Sequence, residues 1–118
     1  MSNIHLMYKI IKVSDDNNPY TLTLKGETIE RRNIESLLCG SIQEIPGMLE
    51  DTVLVVIRDA RKQKLKVNLR ATSLVRSDFT DAVYGPAILL KVKGGNFCGL
   101  EEGQAGRIVN TLLVGDKL

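Results

Sequence analysis

The side chains that most often carry catalysis or bind metals are few and scattered in this sequence. His5 is the one histidine, and the two cysteines, Cys39 and Cys98, have no second cysteine or histidine close to them. A nucleophile–histidine–acid arrangement would depend on His5, and a zinc site needs clustered cysteine and histidine ligands. The spacing therefore predicts no catalytic residue, no metal ligand and no cofactor.

The acidic pairs and the glycine-rich stretch also lack the spacing that chemistry requires. Neighbouring carboxylates occur as Asp15-Asp16, Glu50-Asp51 and Glu101-Glu102. Hydrolytic carboxylates must converge across a cleft, whereas sequence neighbours usually diverge. Residues 94–106 are rich in glycine but contain no Gly-Lys pair of the kind found in phosphate loops. We interpret these glycines as part of a hairpin turn.

Cations are concentrated in residues 58–76, which hold seven arginines and lysines and a single acid. Asn68, Arg70 and Thr72 lie around a possible helix start, where backbone N–H groups attract anions. With Arg58, they are the residues we predict to bind a ligand, through phosphate or carboxylate groups. Two simpler alternatives stay open: the run is a solvated hairpin tip and helix face, or Asn68 is a plain helix cap.

The composition of the chain limits the classes of protein to which it can belong. The chain has 118 residues, of which 43% are hydrophobic, so we predict one domain over 1–118 with a frayed tail from 114. A net charge of +2 and the small aromatic content count against nucleic-acid binding. The first residues do not have the pattern of a secretory signal, and no apolar run is long enough to span a bilayer. These features predict a cytoplasmic protein with reduced cysteines and no membrane contact.

The elements that must position these residues form a mixed pattern. Alternating or continuous apolar runs predict strands at 6–13, 20–24, 41–45, 52–57, 64–67, 87–92 and 97–100. The first two should pair as a hairpin, with Tyr8, Ile10 and Val13 on one face, and 52–57 should be central because it is apolar on both sides. The fold class is thus α+β, a mostly antiparallel sheet of five to seven strands with two or three helices.

Three helical segments complete the prediction. Asn33 can cap a short helix that ends near Gly40, and Asn68 can cap a helical turn that continues through Val75. The C-terminal segment predicts an amphipathic helix, whose apolar residues recur at helical spacing. They are Ala105, Ile108, Val109, Leu112 and Leu113.

Several short motifs follow one another in a familiar order. They are Gly40-Ser41-Ile42 with Pro46, then Asn68-Leu69-Arg70-Ala71-Thr72, then Tyr84-Gly85-Pro86 before an apolar strand, and Phe97-Cys98-Gly99-Leu100 before the last helix. In this order the chain resembles a family of small domains of unknown function that is common in bacteriophages and mobile elements. The resemblance covers residues 8–113 and implies a phage origin and action in the host cytoplasm. It carries over no activity.

Two classes of function follow as expectations. The first is a phage accessory protein that counters host defence by sequestering an anionic nucleotide-derived signal, without catalysis, in a pocket at a homodimer or higher homo-oligomer interface. The alternative is an inhibitor or adaptor that binds a host protein through a strand edge or the basic segment. An enzyme that degrades the signal is a third, less favoured hypothesis.

Overall fold

The protein is described by a computed structural model over residues 7–115, so the predictions made for His5 and Leu6 lie outside the described residues. The elements are β1 (Tyr8–Val13), β2 (Tyr20–Thr23), β3 (Thr28–Ile29), α1 (Arg31–Leu38), β4 (Ile42–Pro46), β5 (Thr52–Ile57), α2 (Leu69–Thr72), β6 (Ala87–Lys93), β7 (Asn96–Cys98), β8 (Leu100–Glu101) and α3 (Glu102–Val114). Across residues 7–115, no helix is both long and apolar enough to cross a membrane.

The strands form one antiparallel sheet, which confirms the α+β class. The main order is β2-β1-β6-β5-β4, while β7 pairs with β6 and β3, and β8 pairs with β1. Eight strands are present among the described residues, against seven predicted. Strand β3 was not predicted, the predicted strand at 97–100 is divided into β7 and β8, and the predicted strand at 64–67 is not formed. The hairpin between β6 and β7 is as predicted, with Gly94 and Gly95 at φ +55° and +81°.

The sheet is covered on both faces, and the side chains of β1 pack against helices on each face. Ile10 packs with α1 on one face, whereas Ile11 and Val13 pack with α2 and α3 on the other. The prediction that Val13 shares a face with Tyr8 and Ile10 was wrong, since the strand is regular and neighbours alternate. Strand β5, predicted to be central, does bury side chains on both faces.

The helix ends differ from the predictions by local rearrangements. Helix α1 begins two residues before Asn33, and its C-cap is Cys39 in the left-handed conformation at φ 59°, so Gly40 follows the cap. In α3 the side chains of Ala105, Ile108 and Leu112 are buried, but Leu113 is 43% exposed. Helix α3 also continues through residue 114, which was predicted to be frayed, and a glycine follows as its cap.

Candidate functional site

The basic residues after β5 form a compact turn instead of a returning strand. Gln63 N donates to Asp59 O over 2.9 Å, and Leu65 N donates to Ala60 O over 3.1 Å. Lys64 adopts a left-handed conformation at φ 59°, and Ala60 is buried. The strand predicted at 64–67 was wrong because these backbone bonds close the chain on itself. We call residues 58–66 the basic turn.

A cleft of about 200 Å³ lies between the basic turn and residues 79–84. Its floor is apolar and is contributed by the core of the sheet and by the turn. The buried floor residues are Ile45, Val56, Ala60 and Val83. Its polar lining consists of Gln43, Arg58, Arg61, Asp81 and Tyr84. We call this concavity the basic cleft.

Arg58 and Arg61 line the basic cleft, and neither pairs with a carboxylate among residues 7–115. The Arg61 guanidinium lies 5.8 Å from the centre of the Tyr84 ring, a distance suited to a cation–π contact. Arg58 Nη2 donates to Ile42 O over 3.3 Å. Since a guanidinium carries five N–H donors, most donors of Arg58 stay available for an anion.

Two larger depressions are less suited to an anion. One, of about 410 Å³, has Glu30 and Glu44 in its lining, and its Arg31 already pairs with Glu44 over 3.6 Å. The other, of about 460 Å³, is lined by two carboxylates, Glu50 and Asp51, and by an arginine that pairs with an aspartate outside the lining. Charge therefore favours the smaller basic cleft over both. It also favours the cleft over a third depression, of about 380 Å³, where Asp15 offsets the charge of Arg70.

Asn68 performs the structural role that the sequence left as an alternative. Its side chain is fully buried, and Oδ1 accepts from Ala71 N over 3.0 Å, so it caps α2. Nδ2 donates to Val13 O over 2.9 Å and to Gly85 O over 2.8 Å. The amide thus joins β1, α2 and the segment before β6, and both of its polar atoms are engaged within the protein.

Thr72 and Arg70 also make contacts within the chain. Thr72 Oγ1 donates to Asn68 O over 2.8 Å and accepts from Val83 N over 3.0 Å. Arg70 Nη1 donates to Asn17 O over 3.2 Å from a half-buried side chain. Thr72 therefore bonds to Val83, which forms part of the cleft floor, whereas Arg70 bonds to the loop between β1 and β2.

The four predicted site residues do not line one concavity. Arg58 lines the basic cleft, whereas Asn68 and Arg70 line a separate depression beside β1. The predicted ligand-binding role of all four stays a prediction. The residues that sequence reasoning did not select are Arg61 and Tyr84: they are distant in sequence, and only the bridge between Val67 and Tyr84 brings them together.

Comparison with known proteins gives one match. The family model described as Domain of unknown function (DUF3846) matches residues 7–113, which is nearly the whole described chain. No curated protein and no solved structure matches the chain. Among residues 7–115, no three histidine, cysteine or acidic side chains group as metal ligands would. Since the match covers far more than half of the sequence, the chain belongs to the DUF3846 family of domains of unknown function.

Proposed function

We propose that this protein binds and sequesters an anionic, nucleotide-type small molecule in the basic cleft without changing it chemically. One observation carries the proposal: Arg58 and Arg61, both without a carboxylate partner among the described residues, line the same cleft, whose floor is apolar. Guanidinium groups suit phosphate because their planar fork can donate two parallel hydrogen bonds.

The rest of the lining suits the uncharged part of a nucleotide. Tyr84 lines the cleft with the Arg61 guanidinium over its ring, so a base that stacks there must displace this guanidinium or use the opposite ring face. Stacking of this kind contributes about 1–3 kcal/mol per base. The floor of the cleft accepts an apolar ring face, while the Asp81 carboxylate and the Gln43 amide can bond to hydroxyl or amino groups.

The lining residues favour binding over catalysis. They include no serine, cysteine or histidine, and Asp81 is the one carboxylate among them. A hydrolytic mechanism by paired carboxylates would need a second one. The biological part of the proposal, a phage accessory protein that withholds a defence signal in the host cytoplasm, is supported by the family resemblance alone.

A ligand screen of the purified chain tests the proposal. The probes are adenosine monophosphate and diphosphate, cyclic mono- and dinucleotides and adenosine diphosphate ribose, with thermal unfolding and native mass spectrometry as measurements. A ligand that binds only the folded state raises the melting temperature, so we expect a shift with at least one probe. The probe recovered after denaturation should have unchanged mass.

Paired substitutions assign the binding to the cleft. The double variant Arg58→Gln, Arg61→Gln should lose at least about tenfold in affinity, because two charge-assisted hydrogen bonds are removed. The control Arg32→Gln, Arg107→Gln removes the same charge from exposed positions outside the cleft and should bind normally. Equal loss in both variants, or recovery of a converted probe, would count against a sequestering cleft.

The alternative, binding to a host protein, has one favourable observation. In β2, Thr21 and Thr23 direct their backbone groups away from β1, because Leu24 N bonds to Tyr8 O and the pattern alternates. This edge could add a strand from a partner or from a second copy in a homo-oligomer. The edge of β4 is less open, since Ile42 O accepts from two arginines and Pro46 O accepts from Arg76 N.

A further inference from the structure

The basic cleft is smaller than the sites that usually enclose a nucleotide. Its volume of about 200 Å³ falls below the range of about 300–1,000 Å³ that is usual for sites that enclose a small ligand. A bound nucleotide would therefore extend beyond the cleft. With one phosphate on Arg58 and Arg61, a second phosphate would lie outside the cleft lining.

The basic turn also carries exposed cations that do not line the cleft. Residues 58–66 carry five arginines and lysines against one acid, Asp59, and the cleft adds the single carboxylate of Asp81. Beyond the two arginines of the cleft, the exposed cations are Lys62, Lys64 and Lys66. Over the basic turn and the cleft together, the five positive charges minus the two negative ones leave +3, more than one phosphate group neutralises.

The backbone fixes these cations relative to the cleft. Lys64 N donates to Arg61 O over 3.0 Å, and Gly85 N donates to Lys66 O over 2.8 Å. The turn is therefore joined to the cleft at two places. Buried Ala60 forms part of the cleft floor, and Lys66, at the end of the turn, bonds to Gly85, the residue after Tyr84. A turn held at both ends keeps the backbone of these lysines beside the cleft.

We propose that the ligand of the basic cleft is a nucleotide that carries at least two phosphate groups, with the second held by the lysines of the basic turn. This inference rests on the proposed function and specifies its ligand class. A nucleoside diphosphate and two linked nucleotides share this chemistry. Because the lysines are exposed, their attraction to the second phosphate should weaken as salt rises.

The test compares dissociation constants for adenosine monophosphate, adenosine diphosphate and a cyclic dinucleotide. In the native chain we expect the second phosphate to tighten binding by about tenfold, a gain that falls in high salt. In the variant Lys62→Gln, Lys64→Gln, Lys66→Gln, the monophosphate should bind within about twofold of native while the gain is lost. The control Lys12→Gln, Lys25→Gln, Lys91→Gln, outside the cleft lining, should keep the gain.

The outcomes separate this inference from the proposed function. Monophosphate binding with no gain from a second phosphate, or a gain that survives the triple lysine substitution, overturns the inference and leaves the cleft as a nucleotide site. The absence of binding by every probe overturns both. A gain confined to the diphosphate assigns the second phosphate to a terminal diphosphate, and a gain confined to the dinucleotide assigns it to linked nucleotides; each upholds the inference.

Discussion

Replacement of Asn68 by alanine should destabilise the fold strongly, although the residue lies in the segment first predicted to bind a ligand. The change removes one helix cap, worth about 1 kcal/mol. It also removes both bonds of Nδ2, to Val13 O and Gly85 O, and each buried acceptor left without a partner costs about 1–3 kcal/mol. The expected loss is about 3–7 kcal/mol, a large part of the about 5–15 kcal/mol that stabilises a typical domain.

Urea unfolding followed by circular dichroism measures this loss. With an m value of about 1.5 kcal/mol per M, the midpoint of Asn68→Ala should fall by about 2–5 M. Asn68→Asp keeps the cap oxygen but turns a carboxylate oxygen toward two carbonyls, so it should be no less destabilising at neutral pH. Asn33→Ala, at an exposed position in α1, is the matched control and should change stability by less than about 0.5 kcal/mol. A loss in the free energy of unfolding below about 1 kcal/mol for Asn68→Ala would contradict the stabilising role given to the three hydrogen bonds of Asn68.

Two further predictions concern the backbone beside the cleft and a surface ion pair. Gly85→Ala should lower stability by about 1–3 kcal/mol in the same unfolding assay, because Gly85 has φ +75° and a Cβ would stand 2.7 Å from Leu65 Cδ1. Gly26→Ala, where nothing lies within 4 Å, should be close to neutral, and equal effects would contradict the strain argument. The Arg76 guanidinium donates to the Asp78 carboxylate and holds its pKa below the ordinary value of 3.8, so the pair stabilises the fold above that pH and the contribution is lost as pH falls through the lowered pKa. Asp78→Asn should therefore have a lower unfolding midpoint than the native chain at neutral pH, and the same midpoint at a pH below the lowered pKa of Asp78. A difference in midpoint that does not change with pH would contradict this prediction.

The sheet was predictable from sequence because its apolar pattern decides where the strands run. The continuous apolar run of β5 demands cover on both faces, and the run of β6 behaves in the same way. The missed elements depend on tertiary contacts instead. Strand β3 has only two residues and exists because β7 lies beside it, a pairing with no local signal.

The candidate site was less predictable than the fold. The sequence correctly indicated Asn68 as a helix cap and Arg58 as the start of a basic stretch, but it could not place them in separate depressions. The strand predicted at 64–67 placed the basic residues on a hairpin, whereas the turn that forms there brings Arg61 over Tyr84. The contact of Arg61 with Tyr84 therefore depends on a turn closed by backbone bonds, which residue periodicity does not reveal.

Chemical-shift mapping by NMR tests directly whether the basic cleft binds a nucleotide, with adenosine diphosphate and a cyclic dinucleotide as probes. Of the three tyrosines, Tyr84 lines the basic cleft, while Tyr8 and Tyr20 lie in β1 and β2 and act as internal references. A bound probe is expected to shift the ring signals of Tyr84 and the Nε–H signals of Arg58 and Arg61, and to leave the signals of Tyr8 and Tyr20 unchanged. Shifts centred on residues 68–72, or saturating binding that leaves Tyr84 unperturbed, would contradict it.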